Sequence, residues 1–460
     1  MAEDQVKLLR LFSSMANGLC SYSTCLPQSS RSRRLGVGVF VMAGAEAEAV
    51  VKPKGPRMTW AECQAHEKRM SLISQKAADL HRSTKDEKFF SGLSEAEREA
   101  KLAKVKEEQV ALMREYLRLG REKTGPDFTG MTEADRAVEA ERLRQEAMAE
   151  ARRLRMAGDP EGLSLEASAR FLDFDPKQRG PYYNRYTAAL VPTFDHDEES
   201  PIGPMRFTGK VYENNLAEVC ESVNILSVKI SCSDVGFPIQ VYGTVIVRDC
   251  VDHKCLYLFR RNRDNGQLIN SKDEPLILTG PKRGLLLLDD NFVETDLKIK
   301  DHQGQDKEFS KGVISIRGIA PRWLEKCEVE RVALSTRLST VDVLYAVVIG
   351  AVEAYIRITV LKGKFDGTIT AHTTSIQKRV LLYDSKVAGT RTGKGGVIRL
   401  MRHAVSVYVR DLLIIELKTG DGKSVQVTDF IPKGNSVDED TITVGATKMS
   451  VMVAWSALDD

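Results

Sequence analysis

Tyr257, Phe259, Arg261 and Arg263 fall at alternate positions of the run Leu256-Tyr257-Leu258-Phe259-Arg260-Arg261-Asn262-Arg263. In an extended strand alternate residues share one face, so two rings would stand beside two guanidinium groups. That pairing suits single-stranded RNA or a phosphate ligand, because rings stack on bases while arginines contact phosphate oxygens. These four residues are the candidate RNA or phosphate contact. The plainer alternative is a core strand running into a basic loop, with Asp264 pairing one arginine.

Other patterns fall short of a complete site. The eight cysteines are thinly spread and include no Cys-x-x-Cys pair. Cys250, His253 and Cys255 come nearest to a zinc pattern, yet a fourth ligand is missing nearby and Cys255 sits in an apolar alternating run. The reading is reduced thiols in an intracellular compartment, with no metal expected. Gly389 to Gly396 resembles a phosphate-binding loop but has three residues before its second glycine, and Gly395 where Ser or Thr must follow Lys394. A basic hairpin loop is the simpler account. Asp249, Asp252, Asp289, Asp290, Asp301 and Asp306 gather near expected strand ends, where calcium is one reading and turn formation the default. The seven histidines are scattered, and His196, between Asp195 and Asp197, lies in a connector. No Ser-His-Asp, Cys-His or paired-carboxylate arrangement is legible, so no catalytic residue and no cofactor is assigned.

Length and charge set the frame for these candidates. A chain of 460 residues carries two or three folded units, and its 42% hydrophobic and 28% charged content is globular. With 67 basic and 64 acidic residues the formal charge is only +3, so any binding to nucleic acid or an anionic surface must be local. No run approaches the roughly 20 apolar residues of a membrane-spanning helix.

Four segments follow from the patterning. Residues 1–57 are an extension, and the acid-free, Ser-rich stretch from Gln5 to Ala45 with Arg31, Arg33 and Arg34 has the composition of a transit peptide. Cytoplasm or nucleus is the first reading of location, chloroplast the alternative. Residues 58–158 are charged and helical. Capping boxes are expected at Thr59-x-x-Glu62, Ser94-x-x-Glu97 and Thr132-x-x-Asp135, and apolar stripes follow, such as Ala140, Leu143, Ala147, Ala151 and Leu154. Breaks at Ser91-Gly92, Gly125-Pro126 and Gly158-Asp159-Pro160 favour a hairpin or small bundle over a coiled-coil arm. Residues 159–205 are a connector rich in Pro and Tyr. Residues 206–460 alternate with period two: Val293, Leu297 and Ile299; Val352, Ala354, Ile356 and Ile358; Val405, Val407 and Val409. The fold class is α+β in two parts, helices followed by a mostly antiparallel β-sandwich or barrel-like domain.

The strings PIQVYGTVIVRD from Pro238, LYLFRRNRDNGQLI from Leu256, LILTGPKRGL from Leu276 and DLKIKDHQGQDKEFSKGVI from Asp296 resemble the grass plant family known as domain of unknown function 6598. ALSTRLSTVDVLYAVV from Ala333, LLYDSK from Leu381 and ITVGATKMSVMVAWS from Ile442 extend the resemblance. It implies a β-rich module, cytosolic in most members, stress- or defence-related, and sometimes following a ribosome-inactivating RNA N-glycosidase domain. It brings no catalytic residues. That glycosidase pairs a Glu and an Arg three apart on a helix, whereas Glu353 and Arg357 here are four apart in a strand pattern. The expectation is a non-enzymatic binding or scaffolding protein with a protein partner. RNA is the runner-up partner, and an enzyme without a motif is the third reading.

Overall fold

The computed structural model describes residues 87–122, 130–178, 180–187, 194–204, 219–300, 304–318, 326–390 and 392–458, together with seven helical positions between 65 and 83. The expected box at Thr59, the break at Gly125-Pro126, the extension 1–57, and Cys20, Cys25, Cys63 and Asp301 lie outside these residues.

Among the described residues, two long helices precede the sheets: α1 spans Glu95–Glu122 and α2 spans Glu133–Met156. Both expected capping boxes are formed. The Glu97 carboxylate accepts from the Ser94 N–H at 2.9 Å and Oγ at 2.6 Å, and the Asp135 carboxylate accepts from the Thr132 N–H at 3.0 Å. The alanine-rich stripe of α2 is buried at Ala140, Leu143, Ala147 and Ala151. Its partners come from the segment read as a connector. There, Glu161–Ala169 form α3, and Leu172–Asp175 (β1) and Gly180–Tyr183 (β2) form an antiparallel hairpin. Leu172, Phe174 and Ala169 close a small core with the stripe. The stripe is narrow, so α2 needs this cover to hide it.

The β region is mostly antiparallel, as the alternation requires. Its strands are β3 Ser222–Ser233, β4 Ile239–Arg248, β5 Leu256–Arg261, the short β6 Gln267–Ile269, β7 Leu285–Leu286, β8 Asn291–Lys300, β9 Asp306–Ile316, β10 Glu328–Thr336 and β11 Ser339–Val348. They continue as β12 Ala351–Lys362, β13 Gly367–Thr373, β14 Val380–Asp384, β15 Ala404–Tyr408, β16 Leu413–Thr419, β17 Val425–Phe430, β18 Asn435–Val444 and β19 Thr447–Ala457. Among the described residues four main sheets result, with strand orders β10-β11-β3-β7, β5-β4-β8-β9, β15-β12-β19-β18 and β14-β13-β16-β17.

These orders describe one eight-stranded sandwich built twice. Leaving out β6, the strands from β3 to β11 and from β12 to β19 pair in the same way. In each repeat the first strand lies between the fourth and eighth, and the second between the third and fifth. Details recur as well. Pro275 bridges Lys229 of the first strand in one repeat, and Val397 bridges Thr359 of the first strand in the other. The turns before the last strands hold Arg337 at φ 52° and Gly445 at φ 57°. Each repeat fills its own core, one around Val223, Ile225, Val241, Leu297 and Val343, the other around Val352, Ile369, Ile415 and Trp455.

Candidate functional site

A cluster of buried charge lies where the former connector meets the first repeat. Arg248, the last residue of β4, is fully buried and donates from Nε to Glu294 Oε1 on β8 at 2.8 Å. Its other nitrogens reach the carbonyls of His253 at 2.9 Å and His196 at 2.6 Å. Glu294 also accepts from Arg185 Nε at 3.2 Å and from the Tyr186 N–H at 2.9 Å. Burial pushes the Glu294 carboxyl up, but the bonds and charges of Arg248 and Arg185 outweigh it and leave its pKa below the usual value. Arg185, Tyr186 and His196 are thus pinned to the sandwich around a carboxylate between two arginines.

His196 is buried in that seam, with Phe171 and Phe194 against its ring at 4.5 and 4.9 Å. Nε2 lies 3.1 Å from the Tyr186 carbonyl and Nδ1 3.4 Å from an Arg170 nitrogen. A carbonyl demands the proton on Nε2, and the guanidinium can donate only to an unprotonated Nδ1, so the ring is held uncharged. Burial first, and then the surrounding arginines, lower its pKa against the effect of the Tyr186 carbonyl. The Cys255 thiol, pushed up by burial, donates to the His196 carbonyl at 3.1 Å. A protonated thiol in that contact is no nucleophile.

The second cluster joins the repeats. Arg283 makes a two-nitrogen pair with Asp249 at 2.5 and 2.9 Å, and both side chains are buried. Glu353, third residue of β12, accepts from the Gly284 N–H at 2.6 Å, immediately before β7. Asn224, third residue of β3, brackets Ser406 of β15, donating to its carbonyl at 2.7 Å and accepting from its N–H at 2.9 Å. Each repeat's first strand therefore holds the other repeat's fourth strand. Leu226, Leu286, Ala346 and Val348 add apolar contact by joining the second core.

The strand with the candidate RNA contacts is present as β5, but the face expected to be shared by Tyr257, Phe259, Arg261 and Arg263 is not formed. A register shift opposite Val245 and Ile246 inserts Leu258 as an extra residue, which reverses the alternation. Phe259 is consequently inside the first core, with 0% exposure, while half-buried Tyr257 faces outward with Arg260 4.4 Å over its ring. Arg261 is half-buried at the strand end. Arg263, in a following turn, donates to Asp306 at 2.7 Å and the Gly304 carbonyl at 2.6 Å. Asp306, not Asp264, is its partner.

Asp252 and Asp290 serve as hydrogen-bond acceptors. Asp252 accepts from Ser200 Oγ at 2.7 Å, and Asp290 accepts from Ser315 Oγ at 2.5 Å and the Gly318 N–H at 2.7 Å. Among the described residues no group of three or more His, Cys, Asp or Glu side chains is placed to hold a metal ion. None of the described helices is long and apolar enough to cross a membrane.

The family model described as "Domain of unknown function (DUF6598)" matches residues 222–453, from the start of β3 into β19 and just over half of the chain. The chain belongs to the DUF6598 family. The matched span takes in nearly all of both repeats and the residues that join them, Asn224, Gly284, Glu353 and Ser406. Arg185 and His196 lie outside it. A search of the curated proteins finds no match. Among solved structures, human GIVD cytosolic phospholipase A2 is similar at 10% identity over 52% of this chain and 30% of that chain, with a TM-score of 0.20. Its complex with methyl gamma-linolenyl fluorophosphonate gives 10% identity over 53% and 33%, with a TM-score of 0.19. This chain spans about a third of the length of those proteins, and overlap so slight carries no argument about fold or function.

Sequence reasoning misses most of this seam. Alternation puts Glu294 and Glu353 at outward positions, and both are buried. The available signal is Arg248, an arginine ending the apolar run Val245-Ile246-Val247, since a charge there needs a carboxylate partner.

Proposed function

We propose that the protein is a non-enzymatic binding or scaffolding module, with the tandem sandwiches acting as one body that carries a partner-binding surface. The observation that carries this reading is the use made of the buried ionisable groups. Glu294, Asp249, Glu353 and His196 each join one chain segment to another, as described above, so the interior chemistry serves rigidity. A rigid body with exposed apolar strand residues is suited to docking a partner without a large ordering cost. The partner is a protein, and the helical half supplies a second contact surface. Reduced thiols such as Cys255 fit a cytoplasmic or nuclear setting. The test is quantitative capture with the purified full chain on extract, followed by reconstitution with the purified partner. A saturable stoichiometric complex supports the reading, whereas consumption of a small molecule with no protein complex overturns it.

A second reading, an RNA-directed protein related to RNA N-glycosidase systems, is favoured by the outward Tyr257 with Arg260 stacked on it. In that case Tyr257→Ala with Arg260→Ala weakens single-stranded RNA binding by about tenfold or more, since one base stacked on a ring contributes about 1–3 kcal/mol. Unchanged binding across a salt series removes RNA from consideration.

A further inference from the structure

The repeat makes the two sandwiches controls for each other. In the first, the side formed by the sixth and seventh strands, β9 and β10, is covered by the chain's own hairpin β1–β2. The Tyr182 hydroxyl donates to the Lys311 carbonyl at 2.9 Å, and Gln178 donates to the Ser335 carbonyl at 2.8 Å. Arg337, in the turn after β10, donates to Asp173 at 2.6 Å, and its N–H reaches Asp175 at 2.7 Å. The two aspartates of β1 thus sit on a sandwich side that presents an arginine.

In the second sandwich the corresponding strands are β17 and β18. Among the described residues β17 pairs with β16 alone, so its other edge is an unpaired row of backbone groups. Val425, Val427 and Ile431 are 45%, 53% and 66% exposed. Asp429 follows at the same period of two and is also exposed. Between Val425 and Val444 there are four acids, Asp429, Asp438, Glu439 and Asp440, against one base, Lys433. Where the first repeat has Arg337, the second has Gly445.

We propose that this edge of the second sandwich receives an extended, basic segment of a partner protein. The inference rests on the binding-module reading and names where and what that module binds. Its position follows the first repeat, where the β1–β2 hairpin covers the same side, and its charge complements the four acids that β17 and β18 carry against Lys433. Apolar residues of the segment would alternate against Val425 and Val427, its backbone would pair with β17, and its lysines or arginines would meet Asp429 and the β18 acids. A second copy of this edge is a poor occupant, because antiparallel pairing sets like charges against each other. Nucleic acid is repelled by the same acids.

The test uses the full chain and two fluorescently labelled short peptides, one alternating valine with lysine and the other valine with glutamate, followed by anisotropy. Val427→Lys with Asp429→Lys is the edge variant, and Val329→Lys on β10 is the control. Circular dichroism and tryptophan emission report that each variant is folded. The lysine peptide is expected to bind wild type and control alike, to lose at least about tenfold in affinity for the edge variant, and the glutamate peptide to bind neither. Absence of lysine-peptide binding, equal binding of both peptides, binding indifferent to the edge variant, or a dimer in sedimentation that the edge variant abolishes would each overturn the proposal. If a natural partner is captured equally by wild type and edge variant, the scaffolding reading stands and only this edge is removed from it.

Discussion

Arg283 and Arg402 occupy the same place in the two repeats, each two residues before the fourth strand, yet their surroundings predict stability changes of opposite sign. Arg283 is held by Asp249 through two hydrogen bonds, at 2.5 and 2.9 Å. In Arg283→Met, Asp249 would stay fully buried with the Leu286 N–H as its remaining donor, at 3.1 Å. Removing one member of such a pair costs about 3–5 kcal/mol. Arg402 is also buried, but has no carboxylate or hydrogen-bond partner among the described residues, and its Nε is unsatisfied. Burial alone pulls its pKa down to about 10. Arg402→Met therefore trades an uncompensated buried charge for an apolar side chain of similar reach, and stability should rise by about 1 kcal/mol or more. Urea titration followed by tryptophan emission and far-ultraviolet circular dichroism measures both, and the midpoint is compared at constant slope. Destabilisation of Arg402→Met by more than about 1 kcal/mol would defeat this expectation, since it would mean that the guanidinium has a partner.

Four further outcomes follow from the structure. The lowered pKa of His196 means that the unfolded chain binds the proton more readily, so its contribution is complete above the unfolded value of about 6.5 and declines as pH falls through the folded one. Protection against hydrogen exchange in residues 184–187 and 194–197, corrected for the intrinsic pH dependence of exchange, should fall as pH drops below about 6.5, and His196→Gln should flatten that dependence. Glu294 adds a second loss at lower pH, below its unfolded value of about 4.3, which Glu294→Gln should abolish while lowering stability at neutral pH. Gly243→Ala should prevent native pairing of β4 with β8, because its φ is +110° and an added Cβ would lie 2.1 Å from the Asp296 carbonyl oxygen; recovery of soluble, cooperatively melting protein would contradict this. Thr132→Ala should cost about 1 kcal/mol of stability, read from thermal melts at 222 nm, by removing the α2 capping box.

Legibility in the sequence follows the range of the interactions. The inward face of β12, with Val352, Ala354, Ile356 and Ile358 all buried, can be read because a half-buried strand writes its period directly into the chain. The boxes at Ser94 and Thr132 are legible because donor and acceptor are three residues apart. Glu353 is not, because what buries it is an N–H 69 residues away. Phe259 faces inward because a partner strand imposes a bulge, which no pattern within β5 announces. Helix α3 contains Gly162 and two serines and has little intrinsic tendency to form; packing against α2 supplies what propensity does not. The duplication is hidden at the level of residue identity because the repeats preserve positions and pairings, with Asn224 answering to Glu353 and Arg337 to Gly445.

Cross-linking mass spectrometry on the full chain, bound to a partner captured from extract, bears on the binding role itself. A stoichiometric protein complex is expected, with cross-links that fall on the sandwiches through lysines such as Lys423, Lys433 and Lys448 beside the β17–β18 edge. A captured species that is turned over and released, or cross-links confined to the helical half, would contradict that role.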